Sequence, residues 1–251
     1  MLKALIQRIH QGHRTTAYPA EPAVLPELFR GYPQLNEACC PVECKECMKA
    51  CPTGAIYHNN GLAIDMGKCL FCPECMSACP TDAINFSRDE QLSVSEREDF
   101  VVRAGEDRRH VHPLGKKMLS LLGRSFKLRE VSAGGCNACE ADTNVLSTVG
   151  FDLGRFGIQF VASPRHADAM YLTGPVTENM REAALKTWHA IPGPKLVIAA
   201  GACAIDGGPF RGQHEVHNGI DNFLPVDLYI PGCPPHPLTI LDGLLRLLAR
   251  R

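Results

Sequence analysis

The chain has 251 residues, of which 45% are hydrophobic and 21% charged, the composition of an ordinary globular protein. Its 26 Lys and Arg residues nearly balance its 27 Asp and Glu residues, so no basic surface predicts a nucleic-acid partner. No run of about 18 apolar residues is present, so the sequence predicts no transmembrane segment of its own. The first ten residues hold too short an apolar stretch for a secretory signal.

Cysteine is the informative residue type, because the chain has 13 of them. An odd number without a signal peptide argues against a secreted disulfide framework, and clustered cysteines in a reducing compartment indicate metal ligands. Nine of the cysteines lie between Cys39 and Cys79, and the other four are Cys136, Cys139, Cys203 and Cys233.

In chain order, the first predicted element is an amphipathic helix at Lys3–Gln11. Two roles suit it, resting on a membrane partner or capping the cysteine-rich region that follows. That region contains an internal repeat, in which CKECMKACPTGAI at 44–56 recurs as CPECMSACPTDAI at 72–84. Each copy predicts a short helix followed by a β-type stretch, so the two copies together predict one compact pseudo-twofold unit.

The second repeat reads Cys69-x2-Cys72-x2-Cys75-x3-Cys79-Pro80, the run of bacterial two-cluster ferredoxins, in which the fourth cysteine binds the other cluster. Crossing the fourth ligands predicts two 4Fe–4S sites. One takes Cys69, Cys72, Cys75 and Cys51, and the other takes Cys44, Cys47, Cys79 and one further ligand. Zinc is the alternative metal, but zinc ribbons do not need a CxxCxxCxxxCP run that occurs almost twice.

The further ligand is irregular because Pro41 stands where the repeat would place a cysteine. We predict Cys40 there, with Cys39 as the second choice. A three-iron cluster and a ligand other than cysteine are the remaining alternatives.

Ser87–Arg109 is rich in charge and poor in apolar pattern, which predicts a linker or surface extension. Beyond it, strands and helices alternate, which predicts a parallel sheet covered on both faces. The predicted strands are 127–132, 158–162, 169–173, 195–200 and 227–230, and the predicted helices are 138–149, 179–190 and 236–248.

Cys136, Cys203 and Cys233 each follow a predicted strand by a few residues. Loops beyond the carboxyl ends of parallel strands meet at one edge of the sheet, so these thiols and Cys139 are expected to form one site. Glycines beside them would let backbone N–H groups approach sulfur. We interpret Glu140 as a first-turn helix acid, with proton relay or contact with a partner as the alternative.

The motifs GCNACE, ASPRHAD, TGPVTENM, GACAIDGG and IPGCPPHP resemble the small-subunit module shared by membrane-associated, formate hydrogenlyase-type nickel–iron hydrogenases and the twenty-kilodalton subunit of respiratory complex I. The resemblance implies a flavodoxin-like domain whose four cysteines, Cys136, Cys139, Cys203 and Cys233, hold a third 4Fe–4S cluster. The region at 39–79 is similar to the eight-iron ferredoxin subunit of the same complexes. The predicted divisions are an extension at 1–35, a ferredoxin domain at 36–90, a linker at 91–123 and the flavodoxin-like domain at 124–251.

The resemblance implies an electron-relay subunit with no catalytic residue, three 4Fe–4S clusters and a hydrogenase-like large subunit as partner. Other subunits of a membrane-associated complex would join it at the cytoplasmic face of the inner membrane. The spacing Cys136-x-x-Cys139 favours the hydrogenase type, because complex I subunits typically have two adjacent cysteines there. A complex I-like quinone oxidoreductase subunit and a free-standing soluble carrier are the alternatives.

Overall fold

The protein is described here by a computed structural model covering residues 2–12, 14–41, 43–59, 61–122 and 124–251. Helix α1 (Leu2–Gln11) occupies the predicted amphipathic segment, and all of its residues are exposed. It therefore does not cap the cysteine-rich region, which was one of its two predicted roles. An irregular segment then leads to the first strand.

Four short strands frame the cysteine-rich module. β1 (Pro33–Leu35) pairs antiparallel with β4 (Ile84–Phe86), and β2 (Ile56–His58) forms a hairpin with β3 (Leu62–Asp65). β2 and β4 directly follow the two repeats, so each repeat ends in a strand as predicted.

Two short helices carry the cysteines of the repeats. α2 (Glu46–Ala50) and α3 (Glu74–Ser77) begin at equivalent positions of the two copies and pack against each other. Their contact joins the two repeats into one unit, in keeping with the predicted pseudo-twofold arrangement.

The charged segment after β4 pairs with the cysteine-rich module and with the C-terminal part of the chain. β5 (Val101–Arg103) pairs with β3, and Val94 makes an isolated bridge to Tyr229 near the C-terminus. Phe100 and Val94 are both fully buried. The sequence pattern missed this strand because its apolar residues are few and stand between charges. α4 (Lys116–Leu122) follows.

A five-stranded parallel sheet forms the C-terminal module. Its strands in chain order are β6 (Phe126–Ser132), β7 (Ile158–Phe160), β8 (Ala169–Thr173), β9 (Leu196–Ala200) and β10 (Leu228–Ile230). In space the order is β10-β9-β8-β6-β7, with every pair parallel. This order is that of the flavodoxin-like fold, and it confirms the predicted fold class.

Helices cover both faces of the parallel sheet. They are α5 (Ala138–Val145), α6 (Glu178–Ala190), α7 (Ala202–Asp206) and α8 (Pro237–Leu247). Residues of α8 join the apolar core on one face, whereas residues of α6 and α7 share the core on the other face with the cysteine-rich module. The three predicted helices are present, with ends that differ by a few residues.

Aromatic packing and an ion-pair network join the two modules. Phe100 packs edge-on against Tyr229, with ring centroids 5.9 Å apart. Arg97 contacts both carboxylate oxygens of Asp65 at 2.9 Å and lies 3.5 Å from Asp206 of α7. Since this network is partly buried, it fixes the relative position of the modules more firmly than exposed pairs would. Among the residues described, none of the helices has the length and apolarity to cross a membrane.

Candidate metal centres

The first group of thiols, called the inner group here, consists of Cys51, Cys69, Cys72 and Cys75. Cys51 directly follows α2 and the other three lie on the chain around α3, so the group combines both repeats as the crossed arrangement predicts. All four line one cavity with apolar side chains. Burial, with neighbouring thiol charge adding to it, raises the pKa of Cys69 to about 12 and that of Cys75 to about 11. Such thiols ionise only beside a strong positive charge, which a bound metal supplies.

The second group, called the outer group, consists of Cys40, Cys44, Cys47 and Cys79. The pKa of Cys40 is raised by burial and then by the charges of Cys44 and Cys79. The pKa of Cys47 is raised by burial and then by Cys40 and Cys79. The structure therefore places Cys40 beside the three other thiols of this group.

Cys39 lies apart from the outer group. Its side chain is exposed, and its sulfur accepts a hydrogen bond from Asn36 Nδ2 at 3.1 Å. Of the two adjacent cysteines that the sequence offered, Cys40 is thus the better positioned to bind with Cys44, Cys47 and Cys79.

The two repeats hold their fourth cysteines in the same way. The Ala55 N–H donates to Cys51 Sγ at 3.3 Å, and the Ala83 N–H donates to Cys79 Sγ at 3.2 Å. For Cys79, burial raises the pKa, but this bond and others from Thr81 outweigh it and lower the pKa. Hydrogen bonds to sulfur stabilise the thiolate and tune a bound cluster. Sequence reasoning missed these donors because backbone N–H groups carry no residue-type signal.

The third group, called the sheet-edge group, consists of Cys136, Cys139, Cys203 and Cys233. These residues follow β6, β9 and β10 and line one cavity at the carboxyl edge of the sheet, as the topology predicts. Cys136 and Cys233 are exposed, whereas Cys203 is buried. Burial and then the charges of Cys233 and Cys136 raise the pKa of Cys203 to about 12.

Glycine makes room for sulfur in the sheet-edge group. A Cβ atom on Gly201 would lie 2.6 Å from Cys139 Sγ, and one on Gly208 would lie 2.9 Å from Cys203 Sγ. Both distances are shorter than carbon and sulfur tolerate, so a side chain at either position would displace a thiol. These two glycines therefore leave the space that the thiols occupy, while the predicted approach of backbone N–H groups to sulfur stays a prediction at this site.

Glu140 lies in the first turn of α5, as predicted, and it is buried. Thr173, the last residue of β8, donates its hydroxyl hydrogen to Glu140 Oε1 at 2.6 Å. Burial raises the pKa of Glu140, but hydrogen bonds from Ser132 and Thr173 outweigh it and lower the pKa. The carboxylate therefore stays ionised beside Cys139, held by a partner that the sequence pattern did not reveal.

The three groups adjoin one another in a series. Burial and then the charges of Cys72 and Cys51 raise the pKa of Cys75 in the inner group, and the charge of Cys47 in the outer group adds to the rise. The pKa of Cys233, in the sheet-edge group, is raised by burial, by Cys136 and then by Cys72 of the inner group. The inner group therefore lies between the other two.

The donor set fits iron–sulfur clusters. All 13 cysteines are free thiols, and 12 of them fall into three groups of four. Within the described ranges, no three His, Cys, Asp or Glu side chains are close enough to bind a single metal ion. A 4Fe–4S cluster takes one thiolate per iron, so its ligands stand further apart than the ligands of one ion.

Two families match the chain. Residues 136–247 match the family described as NADH ubiquinone oxidoreductase, 20 Kd subunit, and residues 62–85 match the 4Fe-4S binding domain. The second match includes Cys69, Cys72 and Cys75 of the inner group and Cys79 of the outer group, and it supports a 4Fe–4S cluster in the cysteine-rich module.

Three curated relatives show how similar the sequence is and how much of each chain the similarity covers. Formate hydrogenlyase subunit 7 of Escherichia coli is 46% identical over 126 residues, which are 50% of this chain and 49% of that subunit. A probable membrane-bound hydrogenase subunit of Pyrococcus furiosus is 38% identical over 134 residues, 53% of this chain and 80% of the relative. An NADH-quinone oxidoreductase subunit of Clostridium beijerinckii is 46% identical over 114 residues, 45% of this chain and 68% of the relative.

The chain spans about half the length of the formate hydrogenlyase subunit that it matches. It covers four fifths of the Pyrococcus furiosus subunit, and its sheet-edge cysteines lie inside the segment that matches the 20 Kd family. With its flavodoxin-like sheet and its 4Fe-4S binding domain, this chain belongs to the 20 Kd subunit family of NADH ubiquinone oxidoreductases and related hydrogenases.

Proposed function

We propose that this chain is the iron–sulfur electron-relay subunit of a nickel–iron hydrogenase-like, formate hydrogenlyase-type complex. The observation that carries the proposal is the series of three adjoining thiol groups, which runs from the cysteine-rich module to the edge of the parallel sheet. A 4Fe–4S cluster supplies a centre that takes up and releases one electron. The chain's own residues supply the position, the burial and the hydrogen bonds that set each centre's potential.

The proposed ligands are the members of the three groups. The outer group would hold one cluster with Cys40, Cys44, Cys47 and Cys79, and the inner group a second with Cys51, Cys69, Cys72 and Cys75. The sheet-edge group would hold the third with Cys136, Cys139, Cys203 and Cys233. The proposed domains are the ferredoxin domain at 36–90 and the flavodoxin-like domain at 124–251, with 1–35 as the N-terminal extension and 91–123 as the linker.

A large subunit is the proposed partner at the sheet-edge group. Cys136 and Cys233 are exposed there, which supports a site that is completed by another protein. The Cys136-x-x-Cys139 spacing and the two hydrogenase-type relatives favour hydrogenase chemistry in that partner. The complex would lie on the cytoplasmic face of the inner membrane, with this chain as a peripheral subunit.

The test is metal analysis of the complex purified anaerobically from its native host through a tag on this chain. We expect about twelve irons from this chain, further iron from partners, and near-stoichiometric nickel. Iron in that amount without nickel would show that this chain serves a nickel-free enzyme. Inhibition of that enzyme by a quinone-site inhibitor would then favour the complex I-like alternative. Elution of the tagged chain near its monomer mass would contradict a complex and favour a free-standing carrier.

A further inference from the structure

The N-terminal extension reaches the junction between the inner and sheet-edge groups. A cavity of about 550 Å³ lies at this junction, and its lining includes Cys72 of the inner group and Cys233 of the sheet-edge group. Leu28, Phe29 and Arg30 of the extension form part of the same lining. A segment with no cysteine of its own therefore borders two proposed cluster sites.

Arg30 binds the loop that carries two ligands of the inner group. Its Nε–H donates to the carbonyl oxygen of Phe71 at 2.5 Å, and its Nη1 donates to the carbonyl oxygen of Leu28 at 3.3 Å. The Phe71 N–H in turn donates to Cys69 Sγ at 3.2 Å. Phe71 stands between Cys69 and Cys72 with φ at +53°, a conformation that an apolar side chain rarely adopts without support. Arg30 supplies such support at the Phe71 carbonyl.

The backbone beside Arg30 is fixed. The Gly31 N–H donates to the carbonyl oxygen of Ser87 at 2.7 Å, and the Ser87 N–H donates to the carbonyl oxygen of Tyr32 at 2.9 Å. These bonds continue the pairing of β1 with β4, so Arg30 is attached to the end of a sheet. The backbone that carries Arg30 is therefore fixed by its pairing with the end of β4, and this fixes the guanidinium at the junction.

Among the described residues, no carboxylate neutralises the charge of Arg30. In the described part of the chain its hydrogen bonds go to the two carbonyl oxygens and to no acid. Asp142 and His236 line the same cavity, but within the described part of the chain neither forms an ion pair or hydrogen bond with Arg30. A partly buried, unpaired cation acts on a nearby charge more strongly than an exposed one, because water screens it less.

We propose that Arg30 is a positioning residue that raises the reduction potential of the centre held by the inner group and fixes the Cys69–Cys72 loop. The inference rests on the proposed function, because it requires a cluster at that group. Reduction adds one negative charge to a cluster, and a fixed cation beside it stabilises the reduced form. The sheet-edge site lies across the cavity from Arg30 and the outer site lies beyond the inner one, so the effect of the charge should decrease in that order.

The test is a potentiometric titration of the complete complex, followed by electron paramagnetic resonance, with three variants of Arg30 and Arg88. Arg30→Gln removes the charge, Arg30→Lys keeps it without the paired donors, and Arg88→Gln removes an exposed charge two residues beyond β4. We expect Arg30→Gln to lower the ratio of reduced to oxidised inner centre about tenfold at a fixed potential, which equals 59 mV for one electron. The shift should be smaller at the sheet-edge centre and absent at the outer centre.

Arg30→Lys should keep most of the potential but broaden the inner-centre signal, since the loop loses the hydrogen bond from Arg30 Nε to the Phe71 carbonyl. Arg88→Gln should leave all three potentials at their original values. An unchanged inner potential in Arg30→Gln, with full iron content, would overturn the inference and leave the relay intact. Equal shifts in Arg30→Gln and Arg88→Gln would also overturn it, because net charge would then be the cause. Absence of clusters from the unaltered complex would instead contradict the proposed function itself.

Discussion

The two modules gather their thiols by opposite routes. In the cysteine-rich module, Cys69, Cys72 and Cys75 come from one short stretch, and only the fourth ligand crosses from the other repeat. In the parallel-sheet module, the sheet-edge group draws on loops after three strands, spread from Cys136 to Cys233. The first site is local in sequence, whereas the second exists only when the whole sheet is formed.

The module whose site is local in sequence has the smaller apolar core, and the module whose site needs the whole sheet has the larger one. The strands of the cysteine-rich module have three or four residues each, too short to bury a large core. The parallel sheet has a core of its own, in which Tyr171, Ile198 and Leu244 are fully buried. The small module should therefore depend on its metal for its structure, as small metal-binding domains do, and the sheet should not.

The largest expected effect comes from removing one ligand in each module. Cys75→Ser and Cys203→Ser should each lose about four of about twelve irons. Cys75→Ser should also expose the amides of β2 and β3 to hydrogen exchange, while Cys203→Ser leaves the amides of β8 and β9 protected. Cys203→Ser should further abolish hydrogen-dependent dye reduction and keep the ferredoxin-type signals.

Iron content and hydrogen exchange measured on the same anaerobic preparations test this contrast. Equal loss of protection in β2 and β8 would show that the two modules unfold together and would contradict it. Full dye reduction by Cys203→Ser would remove the sheet-edge group from the relay.

A smaller effect distinguishes the adjacent cysteines at the outer group. Cys40→Ala should lose the outer cluster or convert it to a three-iron form, because Cys40 stands beside Cys44 and Cys79. Cys39→Ala should keep about twelve irons, since Cys39 is exposed and bonded to Asn36 instead. Iron analysis and low-temperature electron paramagnetic resonance separate the two variants. Iron loss in Cys39→Ala alone would reverse the assignment.

The smallest predicted effect tests whether glycine protects the sheet-edge site. Gly201→Ala should shift Cys139 and lower iron occupancy at that site, because the new Cβ would lie 2.6 Å from sulfur. Gly105→Ala is the matched control, since Gly105 also has a positive φ but nothing within 4 Å of the new atom. Both variants should lose about 1–2 kcal/mol in free energy of unfolding through backbone strain. Iron loss in both, or in neither, would contradict a specific role for Gly201.

The parallel sheet could be predicted from the sequence, because parallel strands that are buried on both faces have continuous apolar sequences, as at 169–173 and 196–200. It also predicted the meeting of Cys136, Cys203 and Cys233, because strand ends converge by topology. β5 escaped prediction because the apolar run of Phe100, Val101 and Val102 is short and flanked by charges, and the burial of Phe100 and Val102 depends on partners far along the chain.

The finer features of the site depend on tertiary geometry and so could not be predicted. The choice between Cys39 and Cys40 depends on which side chain turns inward, and the repeat is irregular at that point. The contact of Arg30 with Phe71 joins residues 41 positions apart and leaves no periodic trace in the sequence. Thr173 reaches Glu140 only because the carboxyl end of β8 lies beside α5.

The packing of Phe100 on Tyr229 and the ion pairs of Arg97 have a consequence for kinetics. A separate ferredoxin would have to diffuse to its acceptor, so the rate of transfer would depend on the concentration of both proteins. Here the cysteine-rich module and the parallel-sheet module are parts of one polypeptide and pack against each other. Transfer between them would therefore be an intramolecular step and not a second-order encounter. Dilution of the complex would leave this step unchanged, and each copy of the acceptor would always have one donor.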